Sequence, residues 1–108
     1  MDAKKLATHT IKVANNLNNF PKKYRYNIVD KIINASLLIC NYIVEANNFN
    51  GSTRVAYQTK AIAECEKMKI YIELALNVLH VKCSISYWNR LIDTVETQLK
   101  KWRKSTKI

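Results

Sequence analysis

The chain contains very little glycine or proline, with one residue of each among 108. Sheets and tight turns need both residues repeatedly, whereas long helices need almost none. Disorder is not expected either, because 48% of the residues are hydrophobic. A chain of this length forms one domain, and it can bury roughly 60–70% of its unfolded surface. The composition therefore predicts a single all-α domain over residues 1–108.

Acidic residues are also scarce, since 8 Asp and Glu stand against 18 Lys and Arg, which gives a net charge of +10. A positive field of this size in a 12.6 kDa protein favours a polyanionic partner. Nucleic acid, an anionic membrane surface and an acidic protein are the three classes to consider. No run of about 18 apolar residues occurs, so we expect no helix that spans a membrane.

Few residues are suited to catalysis or metal binding. Cys40, Cys65 and Cys83 have no metal-ligand spacing, and neither His9 nor His80 has an evident carboxylate to orient it. No glycine-rich phosphate loop occurs. We therefore expect a protein that is not an enzyme, with no catalytic residue, no cofactor and no metal. Free thiols without a secretory signal are typical of a cytoplasmic protein in which cysteine acts as a small core residue.

Apolar residues recur at intervals of three and four in four segments, which is the spacing of one helix face. The predicted helices cover approximately residues 2–18, 21–48, 52–80 and 84–103. Pro21 suits the first position of the second helix. Ser52 or Thr53 suits the N-cap of the third helix, and Ser84 suits that of the fourth. Four helices with short connections predict an up-down-up-down four-helix bundle.

Each predicted helix has one apolar seam that would face the core. The four seams are Ala3, Leu6, Thr10, Val13 and Leu17; Ile28, Ile32, Ala35, Ile39, Tyr42 and Ala46; Ala61, Cys65, Met68, Ile72, Ala75 and Leu79; and Ile85, Trp88, Ile92, Val95, Leu99 and Trp102. The seam of the fourth helix is the most regular, and it contains both tryptophans. We therefore expect Trp88 and Trp102 to pack in the core.

The second and third helices carry more apolar surface than one bundle needs. The apolar arc of the second helix covers about half its circumference, whereas a core stripe needs only ~100°. On the third helix, Ile70, Leu74 and Val78 form another stripe, at least about 90° from the seam. Such a surplus is unusual for a monomer, and it predicts a homo-oligomer interface at these three residues. The alternative is an irregular bundle in which both stripes are internal.

Three cations follow Pro21 at the predicted start of the second helix: Lys22, Lys23 and Arg25. This is the positive end of the helix dipole, where each cation costs ~0.3–1 kcal/mol. Free N–H groups at a helix start also bind anions, so these cations predict a nucleic-acid site rather than a stabilising role. The alternative is a basic turn that is merely solvated.

The opposite end of the predicted bundle is also basic. Antiparallel helices would bring together the start of the first helix, which contains Lys4 and Lys5, and the end of the fourth. The second candidate site for nucleic acid lies at the end of the fourth helix and comprises Lys100, Lys101, Arg103 and Lys104. Cations at a helix C-terminus agree with the dipole, so a purely structural role remains open for this group.

Short motifs along most of the chain match a known family. They are Phe20-Pro21-Lys22 followed by Arg25, Ile85-Ser86-Tyr87, Leu91-Ile92 with Leu99, and Trp102-Arg103-Lys104. With the spacing of the four helices, they make the chain resemble the accessory variability determinant (Avd) proteins of diversity-generating retroelements. That family lies within the wider group of four-helix bundle proteins linked to intervening sequences in 23S rRNA. One difference is that Lys100-Lys101 stand where the family has a glycine or two.

The resemblance implies a barrel-like homopentamer of four-helix bundles with a basic surface. Such a protein binds the reverse transcriptase of its element and the template RNA, or DNA, and it supports mutagenic cDNA synthesis without catalytic residues of its own. The surplus stripes would then form the subunit interface. One alternative is a related bundle protein that binds structured RNA outside any retroelement. Another is a basic adaptor that docks on an acidic protein or a membrane.

Overall fold

Four α-helices account for nearly all of the chain that is described by the computed structural model, which covers residues 2–16, 28–78 and 85–108. The helices are α1 (Ala3–Ala14), α2 (Asp30–Asn48), α3 (Gly51–Val78) and α4 (Ile85–Ser105). No strand occurs in these three ranges. The prediction of an all-α protein with four helices is confirmed.

Neighbouring helices run antiparallel, as contacts at both ends of the pairs show. Between α1 and α4, the Asp2 N–H donates to Gln98 Oε1 at 3.0 Å, and Trp88 Nε1 donates to Thr10 Oγ1 at 3.0 Å. The helices α3 and α4 are likewise joined at two points. Gln58 bonds to Thr106 just after the end of α4, and Lys69, later on α3, pairs with Glu96, which lies earlier on α4. The Cys40 thiol donates to the Ala3 carbonyl and ties α2 to α1. This arrangement is the one expected of a four-helix bundle.

The predicted seams form one shared core. The seam residues that are buried are Ala3, Leu6, Thr10, Ile32, Ala35, Ile39, Ala46, Ala61, Cys65, Met68, Ile72, Ala75, Trp88, Ile92, Val95 and Leu99. Trp88 is the largest of the fully buried side chains. The remaining described seam residues are partly buried, and they are Val13, Ile28, Tyr42, Ile85 and Trp102. The seam predictions at Leu17 and Leu79 lie outside the described residues.

Helix ends follow local backbone geometry that the apolar pattern does not contain. The helix α1 ends at Ala14, earlier than predicted, and Asn15 caps it with an N–H bond to the Ile11 carbonyl. The helix α3 begins at Gly51, whose φ of +60° is accessible to glycine at little cost. Ser52 and Thr53 therefore lie inside α3, and their predicted role as N-cap is wrong.

The fourth helix, for which the sequence predicts an end at about residue 103, continues to Ser105. The Ser105 hydroxyl donates to the Trp102 carbonyl, and the Thr106 N–H bonds to the Arg103 carbonyl. These bonds extend and close the last turn. The predicted helix starts at Pro21 and Ser84 lie outside the described residues. None of the helices that the structure describes is both long and apolar enough to cross a bilayer.

Two strips of apolar side chains remain on the outside of the folded chain. On α3, Ile70 is 55% exposed and Leu74 is 48% exposed, so the alternative that placed this stripe inside the core is wrong for these two residues. Val78 ends α3, and its side chain lies outside the described part. On α2, Leu37 is 41% exposed and Val44 is 57% exposed. We call these surfaces the α3 strip and the α2 strip.

Candidate nucleic-acid interface

Of the two predicted basic sites, the structure describes the one at the end of α4. Lys22, Lys23 and Arg25 lie outside the described residues. All eight acidic residues of the chain lie within the described ranges, and the last of them is Glu96. The twelve residues that follow Glu96 contain five cations and no acid. The end of α4 is therefore the most one-sided charged segment that the structure describes.

The predicted site residues of α4 line two different cavities. Lys100, Arg103 and Lys104 face the α3 side, where they line a cavity of about 570 Å³. The guanidinium of Arg103 donates from Nη1 to Thr59 Oγ1 on α3 at 3.3 Å. Lys101 lines a separate cavity, which is formed by α4 residues alone. The structure thus brings three of the four predicted residues together and leaves Lys101 apart.

Lys100 is partly neutralised by its own helix. Its Nζ lies 2.9 Å from Glu96 Oε2, one turn earlier, and the other Glu96 oxygen lies 3.0 Å from Lys69 Nζ on α3. Asp93 completes this network by pairing with Lys69. In contrast, Arg103 and Lys104 form no ion pair with any of the described acids. The charge that remains available to a ligand at this site belongs mainly to these two residues.

Arg54 plays a structural part that sequence reasoning missed. Its Nε donates to the carbonyls of Ala46 at 2.9 Å and Phe49 at 2.8 Å, which satisfies the backbone at the end of α2. Its guanidinium lies 5.8 Å from the ring centroid of Trp102. One side chain therefore links α2, α3 and α4 at the basic end. The sequence signal for this role was an arginine that follows shortly after the asparagine-rich end of a predicted helix.

Lys60 was also missed as part of an aromatic cluster. Its Nζ lies 5.2 Å from the Tyr57 ring centroid and 6.0 Å from that of Tyr42. Tyr57 also stacks on Phe49, with ring centroids 5.7 Å apart. The spacing of Tyr57 and Lys60, three residues apart on one helix, was the signal available in the sequence. The cluster uses Lys60 to cover aromatic rings between α2 and α3.

The network around Glu96 makes the stability of the protein sensitive to acid. Burial alone would raise the pKa of Glu96, but hydrogen bonds from Lys100 and Lys69 outweigh it and lower the pKa below its ordinary value of 4.5. A carboxylate whose pKa is lowered by folding stabilises the protein fully above its unfolded pKa. This contribution is lost as the pH falls through the folded pKa.

We expect Glu96→Gln to lower the free energy of unfolding by about 1–2 kcal/mol at pH 7, since hydrogen bonds to a charged group are lost. The variant should also show a shallower decline in stability between about pH 5 and pH 3 than the unmodified protein. Urea denaturation across this range measures both effects. Glu73→Gln is the matched control, because Glu73 is exposed and forms no ion pair in the described structure. Equal pH profiles for all three proteins would contradict the assignment.

Cys65, Cys40 and His9 have surroundings that suit packing. Burial raises the pKa of the Cys65 thiol to about 12, with Glu96 contributing to the shift, so this thiol stays protonated at neutral pH. Cys40 is half-buried, and Cys83 and His80 lie outside the described residues. The ring of His9 packs edge-on against Tyr87, with centroids 4.8 Å apart. Within the described ranges, no group of three His, Cys, Asp or Glu side chains could hold a metal ion.

The chemistry available at the end of α4 is that of guanidinium, ammonium and hydroxyl groups around an open cavity. Arginine matches the geometry of phosphate oxygens with two parallel N–H groups, and lysine adds a mobile point charge. These groups can donate hydrogen bonds to the oxygens of an extended anion. No family model, no curated protein and no solved structure matches this chain.

Proposed function

We propose that this chain is a non-catalytic accessory subunit of a diversity-generating retroelement, which binds the reverse transcriptase and template RNA of the element and supports mutagenic cDNA synthesis. The proposal starts from the short motifs that resemble the Avd family. The all-α fold with four helices and the net charge of +10 agree with it. The observation that carries the binding of RNA is the acid-free end of α4, where Arg103 and Lys104 have no acidic partner.

Stability alone does not explain this charge. Cations at a helix C-terminus gain ~0.3–1 kcal/mol from the dipole, and the effect is confined to the last turn. Lys100 lies before that turn and is already paired with Glu96. Lys107 lies beyond the end of α4. Mutual repulsion among closely spaced cations opposes folding, whereas a phosphate backbone would neutralise them and release counterions.

The proposed subunit is a four-helix bundle that assembles into a homo-oligomer, a pentamer by resemblance. The two exposed apolar strips support this assembly. The α2 strip lies toward α1, since the neighbouring Cys40 contacts Ala3, whereas the α3 strip lies on a different side of the chain. Contact between two different patches is head-to-tail, and such contacts form closed rings when the rotation per subunit permits. The α3 strip of one subunit would then pack on the α2 strip of the next.

The RNA proposal is tested by changing Arg103, Lys104 and Lys107 together to glutamine and measuring binding to a fluorescent single-stranded RNA of mixed sequence. Each lost phosphate contact should reduce the log–log salt slope by about 0.7, so the triple variant should lose about 2 in slope. Affinity for different RNA sequences should fall by similar factors, because phosphate contacts carry no base information.

The matched control changes Lys31, Lys60 and Lys67 to glutamine, which also lowers the net charge from +10 to +10 − 3 = +7. These lysines are exposed and lie on the α2–α3 side. If both triple variants lose the same amount of RNA affinity and salt slope, the effect is one of general charge, and the result would contradict a site at the end of α4. The corresponding change of Lys22, Lys23 and Arg25 tests the other predicted site in the same assay.

The retroelement itself is tested by the gene's surroundings and by co-purification. A reverse transcriptase gene with a template repeat and a variable repeat beside this gene is expected, and that reverse transcriptase should co-purify with the chain. A chain that binds RNA but has no such neighbour would instead be a related bundle protein that acts outside any retroelement. If the chain binds an acidic polypeptide as tightly as an RNA of the same total charge, the result would point to a protein adaptor.

A further inference from the structure

A second basic surface runs along the groove between α1 and α4. Two cavities lie along this surface. One of about 580 Å³ lies between α1 and Tyr87, and one of about 410 Å³ is lined by α4 residues alone. Tyr87 lines the first and Arg90 lines the second, and the guanidinium of Arg90 lies 5.9 Å from the ring centroid of Tyr87. The hydrogen bond from the Asp2 N–H to Gln98 joins their walls again nearer the terminus. Lining residues of the two cavities therefore contact each other at two points, and we call the combined surface the α1–α4 groove.

The charge in the α1–α4 groove is almost entirely positive and unpaired. The five cations that line it are Lys4, Lys5, Lys12, Arg90 and Lys101. None of them forms an ion pair with any acid in the described ranges. Two acids line the groove, but Asp93 is already paired with Lys69 on the α3 side, which leaves Asp2. The groove thus contains five cations and only one carboxylate, that of Asp2, for which the structure shows no ion pair.

The side chains that line the same groove are charged, polar or aromatic, and none of them is aliphatic. Eight large hydrophobic side chains are exposed in the described structure, and none of them lines either cavity. A protein partner needs an apolar centre in its interface, with charged residues depleted there. A phosphodiester strand needs a row of cations and no apolar patch. The composition of the groove therefore favours a nucleic acid over an acidic protein.

We propose that the α1–α4 groove binds the backbone of a single phosphodiester strand. This inference rests on the proposed RNA-binding function and extends it to residues outside the end of α4. The groove follows α4 from Tyr87 to Lys101, which is about 21 Å at 1.5 Å per residue. That length spans about six phosphates of a stacked strand at 3.4 Å per phosphate. Lys101 lies three residues before Lys104 on α4 and would lead the strand toward the basic end of the molecule.

The test is the full chain with Lys4, Lys5 and Lys12 changed to glutamine, compared with the Lys31, Lys60 and Lys67 control of equal charge. All three groove lysines are exposed, so circular dichroism should report unchanged helix content. At 0.1 M salt each phosphate contact contributes about a fivefold factor, so affinity for a single-stranded RNA of ~12 nucleotides should fall about 100-fold. Bound RNA should also protect these lysines of the unmodified protein from acetylation.

Several outcomes separate this inference from the proposed function on which it rests. If the unmodified protein binds RNA with a steep salt slope and the groove variant behaves like the control, the groove is not the site, while the proposed function stands. If the unmodified protein shows no salt-dependent binding, the proposed function itself fails. Competition by poly-aspartate that equals competition by RNA would overturn the choice of a phosphodiester strand. Slower acetylation of the groove lysines in the presence of RNA would support it.

Discussion

Replacing Trp88 with alanine is expected to lower the free energy of unfolding by ~3–5 kcal/mol, which is the usual range for a large buried aromatic side chain. Trp88 is 0% exposed, and its indole N–H donates to Thr10 Oγ1 across the interface of α1 and α4. The substitution would leave a cavity and strand a buried hydroxyl. Since domains of this size are stable by ~5–15 kcal/mol, the variant could lose most of its folded population. Urea denaturation at a fixed protein concentration measures the change.

The matched control for this prediction is Trp102→Ala. Trp102 belongs to the same seam but is only half-buried, at the open end of the structure. We therefore expect a smaller loss of stability, well below that of Trp88→Ala. Comparable losses at the two positions would contradict the difference in burial. If Trp88→Ala is as stable as the unmodified protein, the seam of the fourth helix has been assigned to the wrong side of α4.

The second large effect is expected on assembly. Leu74→Lys places a charge in the α3 strip, and burying an unpaired charge between subunits costs several kcal/mol. The proposed oligomer should therefore dissociate to a 12.6 kDa monomer. Helix content should remain, because Leu74 is 48% exposed and does not belong to the core of the single chain. Multi-angle light scattering gives the mass, and circular dichroism gives the helix content.

Leu76→Lys is the control on the same helix. Leu76 is also exposed, at 42%, but a two-residue step rotates it by roughly 200° away from Leu74. This variant should stay assembled. Dissociation of both variants would indicate a general effect of added charge, whereas a monomeric unmodified protein at micromolar concentration would rule out the proposed ring.

The regular part of the fold was predictable because a buried helix face repeats every 3.6 residues. On α4, Trp88, Ile92 and Leu99 are buried as the spacing indicated. Helix ends depend instead on a few backbone angles and hydrogen bonds. The start of α3 at Gly51 follows from a positive φ, which no apolar pattern contains. The bonds from Arg54 to two carbonyls of the α2–α3 connection depend on that same turn.

The candidate site was predictable in composition but not in arrangement. The run of cations near the end of α4 is evident from the sequence alone. A rotation of about 100° per residue separates Lys101 from Arg103 by about 200°, but from Lys104 by only about 60°. Periodicity does not state which neighbour lies on each side of a helix, because a bundle and its mirror-image connectivity share the same pattern. The α1–α4 groove was therefore missed, although Lys4 and Lys5 had been assigned to the correct end.

The different environments of the two tryptophans give the molecule a pair of built-in optical probes. Trp88 is enclosed between α1 and α4, so its emission is shielded from dissolved quenchers for as long as the chain is folded. Trp102 is half-buried, so part of its indole ring is exposed to solvent. It lies beside Arg54 and is flanked in sequence by Lys101 and Arg103, at the basic end of the molecule. A change in emission on binding an anion should thus come from Trp102, and a change in emission on unfolding should come mainly from Trp88.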